Sequence, residues 1–163
     1  MRVLIAGGAG FVGSHLARRW HQAGHEVVVV DNFLTSTGEN LADLSSAPGF
    51  RLVAGDVTRA ELMLTLPPVD VVYHLASPAS PDHYQKHAIF TLLTNSQGTL
   101  NLVEFALRWS ARLVMTSTSE VYGDPLVHPQ PESYWGNVNP VGERSCASAT
   151  RRLWWRSLSA SAA

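Results

Sequence analysis

The stretch RVLIAGGAGFVGSHLARRWHQAGHEVVVVD, residues 2–31, determines the fold class of this 163-residue chain. An apolar run at residues 2–6 meets a glycine-rich turn, and apolar residues recur at helical spacing over residues 11–23. Gly24 is typical of the end of such a helix, and the β-branched run at residues 26–30 predicts a second buried strand. The stretch therefore predicts a βαβ unit with two parallel strands.

The same alternation continues along the chain. Strands are predicted at residues 51–54, 70–76 and 111–116, with a polar loop at residues 31–40 and a long helix at residues 88–109. Thr58 is a candidate cap for a short helix after the third strand, and a proline-containing loop is predicted over residues 122–142. Strands that are apolar throughout indicate a parallel sheet with helices on both faces. We expect a doubly wound α/β sheet, a Rossmann fold with strand order 3-2-1-4-5, truncated after about five strands.

Composition excludes several classes of protein. Apolar residues make up 45% of the chain and charged residues 15%, which is typical of a globular domain. A net charge of −1 offers no basic field for nucleic acid or an anionic membrane, and no apolar run approaches the ~18 residues that span a bilayer. Cys146 is the only cysteine, and the histidines show no metal-ligand spacing. We expect a cytoplasmic protein without a bound metal.

The glycines after the first strand have the spacing GxxGxxG. Gly7 suits the positive φ of a tight turn, Gly10 allows close approach of a pyrophosphate, and Gly13 allows close helix–strand packing. The helix that follows offers its N–H groups and partial positive charge to phosphates. A purely structural turn is the alternative, but the strand before the glycines and the helix after them favour dinucleotide binding.

An acidic residue ends the second strand. Asp31 can accept hydrogen bonds from both ribose hydroxyls and would repel a 2′-phosphate, which favours NAD over NADP. Asn32 is expected to line the adenosine pocket, and Asp56 and Val57 follow the third strand where the adenine edge would lie. A cap on the next helix is an equally open interpretation of Asp56.

Several longer segments resemble one family. They are GGAGFVGSHL (7–16), VDNFLTSTGEN (30–40), HLASPASP (74–81), TNSQGTLNL (94–102), STSEVYGDP (117–125) and SYWGNVNPVGERSC (133–146). With these segments the chain resembles the extended short-chain dehydrogenase/reductases that act on nucleotide sugars. Within them it is most similar to the UDP-glucuronate decarboxylase (UDP-xylose synthase) family.

The resemblance implies a redox-neutral decarboxylation with NAD as the cofactor and UDP-glucuronate as the substrate. Oxidation of the sugar C4 hydroxyl would give a ketone β to the carboxylate, CO₂ would leave, and re-reduction would give UDP-xylose. It also implies site residues. Catalytic roles fall on Thr118, Ser119 and Glu120, and Thr118 would hydrogen-bond the reacting C4 oxygen. The substrate would lie near Pro78, Ser80, Tyr84 and Thr118. The cofactor would contact Gly7, Gly10, Phe11, Val12, Gly13, Asp31, Asn32, Asp56, Val57, Leu75, Ala76, Ser77 and Asn95. His74, on a buried strand, is predicted to be a hydrogen-bonded core residue instead.

The chain departs from the family after Cys146. The family's Tyr-x-x-x-Lys pair, in which the lysine lowers the tyrosine pKa, falls in register on Ala147 and Arg151. We therefore expect an NAD-binding domain at residues 1–146 and an atypical, helical tail at residues 147–163, with the family's substrate-binding half absent. A frameshift, a fusion and real divergence are all open explanations of the tail.

Three functions remain open from the sequence. The chain is the NAD-binding half of a UDP-glucuronate decarboxylase, inactive as it stands because of Ala147 and Arg151. Alternatively it is a relative of the NAD-dependent nucleotide-sugar 4-epimerases and 4,6-dehydratases, or a non-catalytic NAD-binding fragment. The family forms homodimers through two helices, of which only residues 88–109 match here, so a dimer is not carried over to this chain.

Overall fold

The computed structural model describes residues 1–138, without the side chains of Pro81 and Glu120. The predicted helical tail, Ala147 and Arg151 lie outside the described residues. Five parallel strands form one sheet in the order β3-β2-β1-β4-β5, which confirms the predicted topology. The strands are β1 Arg2–Ala6, β2 Glu26–Asp31, β3 Phe50–Ala54, β4 Val71–His74 and β5 Arg112–Met115.

Helices cover both faces of this sheet. They are α1 Phe11–Gln22, α2 Ala60–Thr65, α3 Pro81–Lys86, α4 Ala88–Leu93 and α5 Thr99–Arg108, with a π-helical turn at Thr94–Gly98 and 3₁₀ turns at Glu39–Leu41 and Ser119–Tyr122. Over residues 1–138, none of these helices is both long and apolar enough to cross a membrane.

The apolar strands feed two separate cores, because successive side chains of a strand point to opposite faces. On one face, Leu4 of β1 and Val28 of β2 pack with Leu102 of α5. On the other face, Val3 and Val27 pack in a second cluster with residues of α1 and of the loop after β2. Both faces are buried, which explains why β1 and β2 are apolar without alternation.

The predicted helix at residues 88–109 is interrupted. Between α4 and α5 the chain widens into the π-helical turn Thr94–Gly98, and the Thr99 hydroxyl donates to the Asn95 carbonyl at 2.9 Å. Gly98 lies so close to the loop after β3 that a Cβ there would be 2.8 Å from Val57 Cγ2. The spacing of apolar residues is too coarse to detect one extra residue in a single turn. The sequence therefore predicted one uninterrupted helix.

Two smaller predictions also need correction. Arg59 and not Thr58 is the N-cap of α2, and the Thr58 N–H donates to the Asp56 carboxylate at 2.9 Å. The loop after β4 contains α3, which the sequence did not predict because its six residues are too few for a periodic pattern. Ser80 is its N-cap, and a proline in the first turn is compatible with a helix start.

Candidate cofactor site

A cleft lies at the carboxyl ends of β1 to β4, on the edge of the sheet where open α/β folds bind ligands. Its space is about 540 Å³, part of which is open to solvent. The lining residues are Gly7, Gly10, Val30, Asp31, Asn32, Leu34, Thr35, Gly55, Asp56, Val57, Leu75, Ala76, Ser77, Pro78, Phe90 and Thr94.

The glycine loop forms the floor of the cleft. Gly7 has φ of +80°, and a Cβ there would be 2.6 Å from the Ala76 backbone nitrogen. A Cβ on Gly13 would collide with the carbonyl oxygen of Gly7. A Cβ on Gly10 would meet its nearest neighbour at 3.5 Å, an ordinary contact. Gly7 and Gly13 are thus required by the turn itself, whereas Gly10 keeps the backbone open toward the cleft.

Helix α1 begins at this loop without a side-chain cap. Gly10 is the N-cap, and the first turn of the helix contains no acidic residue. Phe11 and Val12 are exposed at the helix start. The N-terminal end of α1 therefore presents backbone N–H groups and a partial positive charge, a combination that suits phosphate groups.

Asp31 is held at the end of β2 by the loops around it. Its Oδ2 accepts the N–H of Ala9 at 2.9 Å, and its Oδ1 accepts the N–H of Phe33 at 2.9 Å. A carboxylate has about four lone-pair positions, so both oxygens can accept further hydrogen bonds from ligand hydroxyls. The carboxylate is thereby fixed between the glycine loop and the cleft.

The loop after β2 covers the glycine loop from outside. Asn40 Nδ2 donates to the Ala9 carbonyl at 2.9 Å. Arg18 of α1 donates to the Asn40 carbonyl and forms a two-point ion pair with Asp43, at 2.7 Å from Nε to Oδ2 and 2.9 Å from Nη2 to Oδ1. The hydrogen bond from Arg18 holds the pKa of the Asp43 carboxyl below its usual range, and the attraction of the charges adds to this. The pKa of Arg18 is raised in turn by the same hydrogen bond.

A short loop after β3 forms the wall opposite the glycine turn. Gly55 donates its N–H to the Asp31 carbonyl at 2.9 Å, and Asp56 accepts the Thr58 N–H as described above. Asp56 therefore caps its own turn and not helix α2. Asn101 Nδ2 on α5 donates to the Val57 carbonyl at 2.8 Å. Three hydrogen bonds thus hold the wall: one from Gly55 to β2, one within the loop between Thr58 and Asp56, and one from Asn101 of α5.

The far end of the cleft contains polar groups from the interrupted helix. Phe90 and Thr94 line it, and the sequence did not single out either residue. The hydroxyls of Thr91 and Thr94 are buried and have no hydrogen-bond partner among the described residues. Val30, Leu34, Thr35 and Gly55 were also missed. The first three lie in the segment at residues 30–40 but were given no role there, and Gly55 belongs to none of the family segments.

The predicted cofactor residues fall into three groups. Gly7, Gly10, Asp31, Asn32, Asp56, Val57, Leu75, Ala76 and Ser77 all line the cleft. Phe11, Val12 and Gly13 lie at the start of α1 next to it. Asn95 is buried in the π-helical turn, one residue after the lining residue Thr94.

The predicted substrate residues surround the start of α3. Pro78 lines the cleft, and Ser80 caps the helix, with its carbonyl accepting the N–H of Tyr84 at 3.0 Å. The Tyr84 hydroxyl is buried and has no hydrogen-bond partner within residues 1–138. A buried hydroxyl without a partner is rare in a native protein and is consistent with a ligand contact.

The predicted catalytic residues lie on another segment. Thr118 accepts the Val121 N–H at its carbonyl, at 3.2 Å, where the 3₁₀ turn after β5 begins. Ser119 is exposed, Thr118 is half-buried, and neither lines the cleft. Glu120 belongs to the same 3₁₀ turn. The structure therefore brings the cofactor residues together around one cleft and does not add the catalytic residues to its lining.

His74 has a structural environment, as predicted. It is buried, and its Nε2 lies 3.0 Å from Thr99 Oγ1. The Thr99 hydroxyl also donates to the Asn95 carbonyl. Among the described residues no group of three or more His, Cys, Asp or Glu side chains is arranged to hold a metal ion.

Residues of the cleft fit an adenine dinucleotide. Gly10 leaves space for a pyrophosphate beside the start of α1. Asp31 lines the same cleft at the end of β2, and its carboxylate is bonded to Ala9 of the glycine loop. Polar backbone at Gly55 and Asp56 lies on the wall beyond. This order of groups matches the order pyrophosphate, ribose, base in the ligand.

Comparison with known proteins agrees with this cleft. The family model described as "NAD dependent epimerase/dehydratase family" matches residues 3–149. UDP-glucuronic acid decarboxylase 1 of Arabidopsis thaliana is 53% identical over 152 residues, which cover 93% of this chain and 34% of that protein. UDP-glucuronic acid decarboxylase 1 of Xenopus tropicalis is 51% identical over 152 residues, covering 93% and 35%. The chain spans only about a third of the length of these two relatives.

Solved structures give the same fold. The enzyme WbmG of Bordetella bronchiseptica in complex with NAD superposes with a TM-score of 0.76 at 31% identity, covering 94% of this chain and 49% of that one. DesIV of Streptomyces venezuelae, a dTDP-glucose 4,6-dehydratase solved with NAD bound, gives 0.80 at 33% identity, covering 96% and 51%. Both confirm the Rossmann-like architecture, and both were solved with NAD.

Proposed function

Because the chain belongs to the NAD dependent epimerase/dehydratase family, we propose that its residues 1–146 form the NAD-binding part of a UDP-glucuronate decarboxylase. The observation that carries the proposal is the position of Asp31, whose carboxylate is tied to the glycine loop at Ala9 and faces the same cleft. The identity of about 50% to several UDP-glucuronic acid decarboxylases supports this substrate class over that of the epimerases and dehydratases.

Each part of the cleft has a role in this proposal. The start of α1 and the backbone at Gly10 bind the pyrophosphate, and Asp31 accepts hydrogen bonds from the adenosine ribose. Asp56 and Val57 contact the adenine, and Ala76 and Ser77 extend along the cofactor toward its reactive end. The cofactor itself supplies a hydride acceptor that is regenerated in the same cycle.

The segment after β5 has the chemical roles. Thr118 hydrogen-bonds the C4 oxygen of the sugar, and Ser119 and Glu120 lie beside the sugar carboxylate. A negative charge near the substrate carboxylate raises the free energy of that charge before CO₂ leaves. Pro78, Ser80 and Tyr84 contact the nucleotide sugar at the mouth of the cleft.

The charge on Asp31 gives a direct test. We expect NAD to bind the full chain at least about tenfold more tightly than NADP, because the Asp31 carboxylate repels a 2′-phosphate. Asp31→Ser removes the charge and should reduce this ratio to about twofold or less, as measured by titration calorimetry. Glu39→Gln is the matched control, since it removes a nearby carboxylate that does not line the cleft, and its ratio should stay that of wild type. If wild type binds neither dinucleotide, the proposal is wrong.

We also propose that this chain alone does not release CO₂. Ala147 stands where the family has a tyrosine and has no proton to exchange, and Arg151 does not reproduce the compact charge of a lysine. Incubation with NAD and UDP-glucuronate should give no more UDP-xylose than a sample without protein, as measured by chromatography. Product formation above that level would contradict this part of the proposal while leaving the cofactor site intact.

A further inference from the structure

We propose that Asn101 is a positioning residue for the base-binding end of the cleft. Through its hydrogen bond to the Val57 carbonyl, it holds the wall at Gly55–Val57 in one place, so that the wall discriminates adenine from other purines. This inference rests on the proposed NAD site and adds to it a residue of α5 that does not line the cleft.

The side chain of Asn101 is buried and hydrogen-bonded through both atoms of its amide. It is 3% exposed, and its Nδ2 donates to the Val57 carbonyl at 2.8 Å. Its Oδ1 accepts Nε2 of Gln97, four residues earlier, at 2.8 Å. Both ends of the amide are therefore engaged, which fixes its orientation.

An asparagine at this position has a cost that an apolar residue would not have. Asparagine is a poor helix former, and burial of an amide is unfavourable unless its hydrogen bonds are replaced. The next residue, Leu102, is fully buried in the core, and leucine or alanine would suit the helix better. The hydrogen bond to the cleft wall is the visible compensation for this cost.

The π-helical turn brings Asn101 to the wall. Gly98, at the end of that turn, approaches Val57 so closely that a Cβ would be 2.8 Å from Cγ2. Thr94, at the start of the same turn, lines the cleft from the other side. The turn thus approaches the wall at Val57 through Gly98 and contributes Thr94 to the cleft lining. Turns of this kind are frequent at functional sites.

The other anchors of the wall lie on either side of Val57. Gly55 is bonded to the Asp31 carbonyl, and Thr58 is bonded to the Asp56 carboxylate. The bond from Asn101 falls between them, on a carbonyl 44 residues away in sequence. Without it, the carbonyl at the centre of the wall would be buried without this donor, and the backbone would shift to satisfy it.

A fixed wall has a chemical consequence for the base. Adenine presents an exocyclic amino group, which donates to a carboxylate such as that of Asp56, whereas hypoxanthine presents an oxygen at the same place. When the wall is held in one position, the Asp56 carboxylate favours the amino group of adenine and disfavours the oxygen of hypoxanthine. When the wall can shift, this preference between the two bases is lost. Selectivity, more than affinity, therefore reports on the role of Asn101.

The experiment compares NAD with nicotinamide hypoxanthine dinucleotide on the full chain by titration calorimetry. We expect wild type to prefer NAD by about tenfold. Asn101→Asp keeps the shape but removes the donor, and Asn101→Leu removes the polar group altogether. In both variants the preference should fall to about twofold or less.

The control is Leu44→Ala, a destabilising change in the core on the other face of the sheet. It should leave the preference at the wild-type value even if both affinities fall. Hydrogen exchange gives a readout that needs no ligand. The amides of Gly55 and Thr58 should exchange at least about tenfold faster in Asn101→Leu than in Leu44→Ala, after correction for global stability.

The outcomes separate this inference from the proposed function. If wild type binds neither dinucleotide, the proposed function fails and the inference fails with it. If wild type binds both equally, or if the Asn101 variants keep both the wild-type preference and the wild-type exchange rates, the cofactor site stands and the inference is overturned. A preference lost in the Asn101 variants and kept in Leu44→Ala supports it.

Discussion

The loops that follow β1 and β5 leave the same edge of the sheet, but different interactions hold them. The glycine loop after β1 is fixed by its neighbours: Gly7 donates its N–H to the Val30 carbonyl at 2.8 Å and lies against the backbone of Ala76, and Ala9 is bonded to Asp31. It takes its shape from β2 and from the loop after β4.

Among the described residues, Thr116 joins the segment at residues 116–138 to the His74 carbonyl, and several further bonds join residues of the segment to one another. Asp124 donates to the Asn137 carbonyl at 2.9 Å, and the Asn137 N–H donates to the Tyr122 carbonyl at 2.8 Å. Leu126 donates its N–H to the Tyr134 hydroxyl at 3.0 Å and exposes 79% of its surface. The glycine loop is therefore held by contacts with β2 and with the loop after β4. In the segment with the proposed reacting residues, the bonds just described join residues of that segment to one another.

Substitution at Gly7 should give the largest effect. Gly7→Val places a Cβ against the Ala76 backbone at a φ of +80°, where a β-branched residue is also strained. We expect NAD affinity to fall at least about a hundredfold, or ~2.7 kcal/mol, by titration calorimetry. The matched control is Gly24→Ala, which has nearly the same φ, +81°, and nothing within 4 Å of the added Cβ. It should cost about 1–2 kcal/mol of stability and leave affinity unchanged. Equal loss of affinity in both variants would contradict the comparison.

Matched leucine substitutions test the difference in packing between the two regions. Leu41, beside the glycine loop, is 1% exposed, whereas Leu126 is 79% exposed. Leu41→Ala should lower the free energy of unfolding by about 2–5 kcal/mol, because it leaves a cavity in the core. Leu126→Ala should change it by no more than about 0.5 kcal/mol. Chemical denaturation monitored by tryptophan fluorescence measures both, and similar losses would mean that the second region is packed as firmly as the first.

The ion pair between Arg18 and Asp43 should give the smallest effect. Because the folded pKa of Asp43 lies below its unfolded value, the pair's contribution is present above about pH 5 and is lost as pH falls through the folded pKa. Asp43→Asn should therefore be less stable than wild type at pH 6, and the difference should shrink as pH falls through the folded pKa of Asp43. Urea denaturation at several pH values measures it. At pH 6 in 1 M NaCl the difference should also be reduced, since the pair is exposed. A difference independent of pH would contradict the assignment.

Sequence patterns predicted the sheet, because β1 and β2 are buried on both faces and the turn after β1 needs a glycine. The glycine at +80° and the carboxylate at the end of β2 follow from residues close together in the chain, and the strand order follows from right-handed crossovers between parallel strands. Nine of the predicted cofactor residues, Asp31 among them, line the cleft, because they lie at or just after the ends of strands that the sequence predicts.

Features that depend on distant contacts were not predicted. The π-helical turn contains Asn95 and Gly98, which are poor helix formers, but the close approach of Gly98 to Val57 joins residues far apart in sequence and has no local signal. Phe90 and Thr94, on and directly after α4, line the cleft without belonging to the strand ends that the sequence pattern identifies. Helix α3 is too short to have a periodic signature, and the cap of α2 was misassigned because Asp56 uses its carboxylate one turn earlier.

In genetic terms, the π-helical turn amounts to one inserted codon. A π-helical turn holds about one residue more than an α-helical turn, so deletion of a single codon between Thr94 and Gly98 would leave a continuous α-helix in which α4 and α5 keep nearly the same relative rotation. The wider turn that supplies Thr94 to the cleft and brings Gly98 against Val57 would be lost. A one-codon deletion there would thus spare the reading frame and the helix, but not the site.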